Sequence, residues 1–293
     1  MNKKALLITG GNGYILKNFN FESYKSKFDL FFIHNKKNNV NKLSYSEEDL
    51  KSLSRTLDNE NYTSILIISF GSHLGGDDPG LYFNSVSNLE KLLNNLVDLN
   101  KKIYIYHSSS FSIFNPTKNS SLFSLLINDS VDIRGPYSYS KKNQNKLLKE
   151  FSQNRDQVMC EIVHIGHVYD KKNTLAKRFL SKSFKFYKFI FSMLYSPMKL
   201  INPTSIDSIH NDLQVFLRDH ENHSLSISQR ILTDNDSPIP LFKVFLKEKL
   251  FFISPLPLLI CTFSPLIIRF LPRYSNVSFI LKKYLQMNNS IKM

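Results

Sequence analysis

The sequence predicts an α/β protein built on a doubly wound parallel sheet with helices on both faces. Two observations predict it. Short apolar runs alternate with helical stretches as far as Tyr169, and a glycine cluster follows the first apolar run directly. No internal repeat or low-complexity linker breaks the alternation.

The first strand is the run Ala5 to Ile8, which ends in Thr9-Gly10-Gly11-Asn12-Gly13-Tyr14-Ile15. Strand, glycine turn and helix form the context of a phosphate-binding loop. Glycines let the backbone approach a pyrophosphate, and the N-terminus of the following helix presents N–H groups and a positive dipole end. The second strand is Phe28 to Ile33, ending at His34-Asn35-Lys36-Lys37. A polar helical stretch covers Ser46 to Leu57, followed by a strand at Ser64 to Phe70 and a helix from Tyr82 to Leu99. The next strand, Ile103 to His107, leads into Ser108-Ser109-Ser110. A helix then opens at Gly135-Pro136-Tyr137 and runs to Gln153, and Val158 to Val168 holds another strand.

On that helix Tyr137 and Lys141 lie four residues apart, so a phenol and an ammonium share one face. A free tyrosine titrates near pH ~10, and bringing it to about 7 requires roughly 4 kcal/mol of differential stabilisation of the phenolate, part of which a neighbouring cation supplies.

Composition bounds the partners. Lys and Arg outnumber Asp and Glu by 38 to 24, a formal charge of +14, which favours anionic ligands or an acidic surface. No arginine-rich arm, zinc-finger spacing or helix-turn-helix signal points to nucleic acid. The two cysteines, Cys160 and Cys261, form neither a metal spacing nor a disulfide framework and fit a reducing cytoplasm. Lys3-Lys4 before Ala5 to Ile8 lacks a small-residue cleavage site, so export is not expected. His164 and His167 point to opposite faces of a strand, and no metal is expected.

The ordered set Thr9 to Ile15, Ser108 to Ser110, and Tyr137 with Lys141 resembles the extended short-chain dehydrogenase/reductase family, the NAD-dependent epimerases and dehydratases of nucleotide sugars. Asp78 to Leu89, His107 to Phe114 and His164 to Tyr169 resemble further segments of that family. The likeness covers Met1 to Asp219. It implies a Rossmann-type dinucleotide-binding domain over residues 1–170 and a smaller C-terminal substrate-binding region over 171–293, the two interleaving as in extended members. It further implies that Tyr137 is the general acid/base, that Lys141 lowers its pKa and bonds the nicotinamide ribose, and that Ser110 bonds the substrate oxygen, with Ser109 as the alternative register. Gly10, Asn12, Gly13, Tyr14 and Ile15 would hold the cofactor, and Asn84 would support the site.

The sequence also departs from the family. Its third glycine falls on Leu16, whose bulk crowds helix against strand. No acidic residue follows the second strand; Lys36 and Lys37 stand there instead and favour NADP over NAD. In the sixth-strand segment Ile165 and Asp170 replace the usual proline and glycine.

Beyond Tyr169, Lys177 to Tyr195 is basic and Phe-rich, with Lys177, Arg178 and Lys182 as candidate phosphate contacts. Ile201 to Asp219 holds a short strand and a helix. Leu250 to Ile268 carries no charge but is interrupted by Pro255, Pro257 and Pro265, so burial, oligomer contact, peripheral membrane contact and a true span all stay open.

The resemblance implies an NAD(P)-dependent oxidoreductase or epimerase acting on a nucleotide-activated sugar in surface polysaccharide synthesis, with a 4-ketoreductase favoured. The protein would be cytoplasmic, with membrane association and a homodimer open. The alternative is a Rossmann-like binding or regulatory protein with a degenerate cofactor loop and no turnover.

Overall fold

A computed structural model describes residues 3–34, 43–70, 79–114, 136–153, 155–169, 200–222, 226–235 and 239–240. The chain divides into two compact units that alternate along it. One comprises Met1–Ser110, Pro136–Ile165 and Ile209–Leu232, and the other Phe111–Gly135, Gly166–Ser208 and Thr233–Met293.

The first unit is a seven-stranded, wholly parallel sheet. Its strands are β1 (Lys4–Thr9), β2 (Phe28–His34), β3 (Leu43–Ser44), β4 (Ser64–Phe70), β5 (Lys102–Ser110), β6 (Val158–Ile165) and β10 (Ile227–Leu232), in the spatial order β10-β6-β5-β4-β1-β2-β3. From β1 the chain moves outward through β2 to β3, then returns to β4 on the other side. The gap between β1 and β4 is therefore the switch point, outside whose carboxyl edge ligands bind in such sheets. Every residue of β4 is buried, as an apolar strand covered on both faces requires.

One face packs under α1 (Glu47–Asn59), α2 (Pro79–Asn94) and α3 (Pro136–Gln153). Leu50, Leu53 and Leu57 of α1, Leu89, Leu92 and Leu93 of α2, and Leu148 and Phe151 of α3 join Leu7, Ile67 and Ile105 in a single core. Helix α1 starts where Ser46 accepts from the Asp49 N–H at 3.2 Å, while the Asp49 carboxylate accepts the Ser44 N–H at 2.8 Å. On the opposite face Phe216, on α4 (Ile206–Asp219), meets Tyr106 with ring centroids 5.4 Å apart, and His220 just beyond the helix meets Tyr104 at 4.9 Å.

Strand β10 is absent from the sequence reading, because Ile227-Ser-Gln-Arg-Ile-Leu232 alternates polar and apolar residues too weakly to stand out among loops. It is anchored by charge. Arg230 donates to Glu161 of β6 and, at 2.6 Å, to Asp212 of α4, which also accepts the Tyr106 hydroxyl at 2.7 Å. Burial alone would lower the Arg230 pKa, but the two carboxylates raise it overall. Arg230→Met leaves two mostly buried carboxylates without their partly exposed cation. It is expected to cost about 1–2 kcal/mol in urea unfolding, less than a fully buried pair because solvent screens the guanidinium, and a loss under about 0.5 kcal/mol would show that the network is solvent-screened.

In the second unit β7 (His167–Tyr169) pairs with β9 (Pro203–Ser205) in parallel, and β8 (Leu200–Ile201) pairs with β11 (Ile239–Pro240) in antiparallel fashion. Gly166 is required where it stands, since a Cβ there would lie 1.7 Å from the Asn202 carbonyl oxygen. Asp234 gathers this unit by accepting from Tyr169 Oη (2.6 Å), Ser208 Oγ (2.6 Å) and Ser205 N–H (2.9 Å).

One expected element is corrected. No α-helix follows the glycine turn. The chain winds instead through two short 3₁₀ turns, Leu16–Asn18 and Phe21–Tyr24. Leu16 is 2% exposed, and Phe19 packs on Phe21 at 4.7 Å and on Tyr24 at 6.0 Å, so these side chains fill the volume in which a helix would approach the strand. The stretch Lys177 to Tyr195 and the apolar segment Leu250 to Ile268 lie outside the described residues. Among the described residues no helix is long and apolar enough to cross a membrane.

Candidate active site

The turn after β1 is set by Gly10 at φ +71°, a conformation that strains any side chain. A Cβ there would also sit 2.4 Å from the Phe70 carbonyl oxygen at the end of β4. The turn is closed by Gly13 N–H donating to the Gly10 carbonyl at 2.8 Å and Lys17 N–H donating to the Gly13 carbonyl at 2.9 Å. Asn12 Nδ2 lies 3.5 Å from His34 Nδ1 and ties the turn to the end of β2. His210 Nε2 of α4 donates to the Ile15 carbonyl at 2.8 Å, and Lys17 Nζ stands 5.4 Å from the Tyr14 ring centre. Lys36 and Lys37 lie outside the described residues. His34 is the polar side chain that the described structure places at the end of β2, and the sequence reading passed over it as a strand terminus.

The second cluster forms where α3 begins beside the end of β5. Tyr137, half-buried, hydrogen-bonds Ser110, and its ring meets Tyr82 of α2 at 5.8 Å and 72°. Burial raises the phenol's pKa, the Ser110 bond lowers it in part, and Tyr82 raises it further. Lys141 is 2% exposed and donates to the Ser108 main-chain oxygen at 2.8 Å. Burial pulls its pKa down to about 7. In this arrangement the phenol is therefore raised, not lowered, and the lysine proton is directed at a carbonyl.

Beneath Lys141 lies His107, fully buried, whose Nδ1 is 3.1 Å from Ser69 Oγ. Burial, then Lys141 and His164, hold its pKa well below the usual histidine range, so it is neutral. His164 meets Gln229 at 3.4 Å. Asn84 is exposed on α2, and its neighbour Ser85 makes the contact to α3.

A nicotinamide dinucleotide is the group that this fold implies, and the residues fit it unevenly. Lys141 is a buried amine with no carboxylate partner among the described residues, and Ser109 Oγ is buried without a hydrogen-bond partner, so a ribose hydroxyl would find polar partners here. The glycine turn sits at the switch point, where a pyrophosphate would lie, but it lacks the α-helix dipole. These residues are compatible with the group.

No protein-family model and no curated protein sequence matches the chain. Solved structures match in fold. The UDP-Glc/GlcNAc 4-epimerase of Campylobacter jejuni superposes with a TM-score of 0.58 at 13% identity, covering 84% of this chain and 83% of that one. MoeE5 in complex with UDP-glucose and NAD gives 0.58 at 13% identity, covering 82% and 79%. The dTDP-glucose 4,6-dehydratase of Bacillus anthracis in complex with NAD gives 0.57 at 12% identity, covering 83% and 79%. The chain thus has the fold of the extended short-chain dehydrogenases/reductases.

Proposed function

We propose that the chain is an NAD(P)-dependent enzyme of the extended short-chain dehydrogenase/reductase type, acting on a nucleotide-activated sugar. The observation that carries the reading is the Tyr137 phenol hydrogen-bonded to Ser110 beside the buried Lys141, at the carboxyl ends of a doubly wound sheet. Tyr137 exchanges a proton with the hydroxyl or keto oxygen of the sugar, and Ser110 bonds the same oxygen. Lys141 would bond the cofactor ribose in place of the Ser108 carbonyl. Gly10 and Gly13 would cradle the pyrophosphate, with Asn12, Tyr14 and Ile15 also holding the cofactor. When bound, the nicotinamide would supply the hydride chemistry. The sugar-nucleotide names of the fold neighbours support this substrate class.

An NADPH-using 4-ketoreductase is the favoured form, ahead of an epimerase. A carboxylate at the end of β2 would bond the ribose 2′-hydroxyl and repel a 2′-phosphate; here His34 ends the strand and Lys36 follows in sequence. His34→Asp is expected to weaken NADPH relative to NADH by about tenfold or more in fluorescence titrations, because it sets a carboxylate against the phosphate. An unchanged ratio would remove the NADP preference. Cytoplasmic location, a role in surface polysaccharide synthesis, a homodimer and peripheral membrane contact through residues 250–268 complete the reading and rest on resemblance and sequence.

A second reading, a dinucleotide-binding regulator without turnover, is favoured by Leu16 and the missing helix after β1. Titrating NADPH and NADH by nicotinamide fluorescence separates the two, followed by assays with UDP-glucose, UDP-N-acetylglucosamine and dTDP-glucose. Binding with turnover supports the enzyme. Binding without turnover supports the regulator, and no binding at millimolar concentration overturns both.

A further inference from the structure

Tyr82 closes one side of the Tyr137 phenol. It stands on the first turn of α2, is 7% exposed, and meets Tyr137 edge-on at 5.8 Å and 72°. Its backbone is held as well. Ser85 Oγ donates to the Tyr82 carbonyl at 2.7 Å, and Gln144 Nε2 of α3 donates to Ser85 Oγ at 3.1 Å. Gln144 is 2% exposed and lies three residues beyond Lys141, on the same side of the helix. Phe83 and Tyr139, one and two residues further along their helices, make a second ring contact between the two helices at 6.4 Å and 66°.

Besides that outer ring pair, the helix that bears Tyr137 and Lys141 is joined to α2 by two links that both end on Tyr82, about two turns apart along α3. One link is the strut Tyr82 carbonyl–Ser85–Gln144, and the other is the contact of the two phenol rings. Proton transfer requires the phenol oxygen within about 3 Å of the substrate oxygen, and displacement by about 1 Å can cost a hundredfold in rate. Among the described residues, Ser110 holds Tyr137 by its hydroxyl. A ring on a helix can still turn about its side-chain torsions unless something blocks it.

We propose that Tyr82 is a positioning residue for Tyr137, holding the phenol against Ser110 by ring contact, with Ser85 and Gln144 fixing Tyr82 in place. The proposal rests on the reading of Tyr137 as the proton donor. Since Tyr82 acts through its ring, phenylalanine should serve and leucine should not. Its cover also keeps water from the phenol, in keeping with the upward effect of burial on the Tyr137 pKa.

The test has two arms on the full chain. In the first, alkaline ultraviolet titration of each protein minus its Tyr137→Phe derivative isolates one phenol among the 14 tyrosines. Tyr82→Leu should move that titration down by about half a pH unit or more, and Tyr82→Phe should restore most of it, short of the part contributed by the charge of the Tyr82 hydroxyl. In the second arm, Tyr82→Leu should lower kcat about tenfold or more, with KM and NAD(P)H Kd within about twofold, again restored by Tyr82→Phe. An unchanged titration and kcat in Tyr82→Leu overturns the proposal. So does a Tyr82→Phe protein as impaired as Tyr82→Leu, which would assign the work to the hydroxyl. If Tyr82→Leu does not fold, Gln144→Leu carries the test by cutting the strut beneath an intact ring. A kcat loss of about threefold at constant KM then supports the proposal, and no loss overturns it. Should the wild type turn over none of the three sugar nucleotides, the enzyme reading fails, while the titration arm still decides on Tyr82.

Discussion

Tyr137→Phe is expected to lower turnover by about 10²–10⁴-fold while leaving NAD(P)H affinity within about twofold. The substitution deletes one oxygen and keeps the ring, so the edge contact with Tyr82 survives and the start of α3 need not move. What is lost is the hydroxyl that bonds Ser110 and that, on the proposed reading, donates the proton. Because burial holds the phenol above its ordinary pKa, the apoprotein keeps Tyr137 protonated at neutral pH, ready to donate to a keto oxygen. That charge state suits reduction of a ketosugar better than abstraction from a hydroxyl. Running the reaction as an oxidation requires additional stabilisation of the phenolate, for which Lys141 must leave the Ser108 carbonyl. Steady-state kcat on the sugar-nucleotide panel, beside a fluorescence Kd, checks the prediction. Equal turnover in the mutant would remove Tyr137 from its role.

Much of this arrangement is legible in the sequence because it depends on local pattern. Apolar runs such as Ser64 to Phe70 can be buried only as central strands, and the helix opening at Pro136 carries its chemistry at a helical spacing. The glycine turn is equally plain, since Gly10 occupies a backbone conformation and a close approach that other residues do not tolerate. What the sequence hides depends on partners far along the chain. β10 is held by Arg230 reaching Glu161, 69 residues away, and no local periodicity reports such a bond. The failed helix after β1 is a collective result of Leu16, the packed rings of Phe19 and Phe21, and His210 bonding the Ile15 carbonyl. Leu16 alone announces crowding, but not which element yields. The Ser85–Gln144 strut joins residues 59 apart, so the pair that sets the two helices at the site is visible only after folding.

Lys141→Met is expected to stabilise the apoprotein at neutral pH while reducing turnover and weakening the cofactor. A lysine that titrates near 10.4 when unfolded is held near 7 by burial, so the unfolded chain binds more protons than the native one between those values. Stability therefore carries the full penalty of the buried ammonium below pH 7 and recovers as pH rises from about 7 toward 10. At pH 7 the penalty is on the order of 2–4 kcal/mol, from which the lost bond to the Ser108 carbonyl subtracts about 1 kcal/mol. Methionine fills much of the same volume without a charge, so a rise in melting temperature of about 3–8 °C should follow. The gain should shrink as pH increases, which separates removal of a charge from better packing. If Lys141 bonds the cofactor ribose as proposed, saturating NADPH should narrow the difference, because the ribose hydroxyls would then give the wild-type ammonium further partners. A melting temperature that is equal or lower in the mutant across pH 6–10 would show that the carbonyl bond outweighs desolvation. Lys141 would then be a structural tie of α3 to β5, and its place at the cofactor would need other support. If the mutant is instead more stable and inactive, the buried amine is a cost that the fold retains for its chemistry, as a stability–activity trade-off requires.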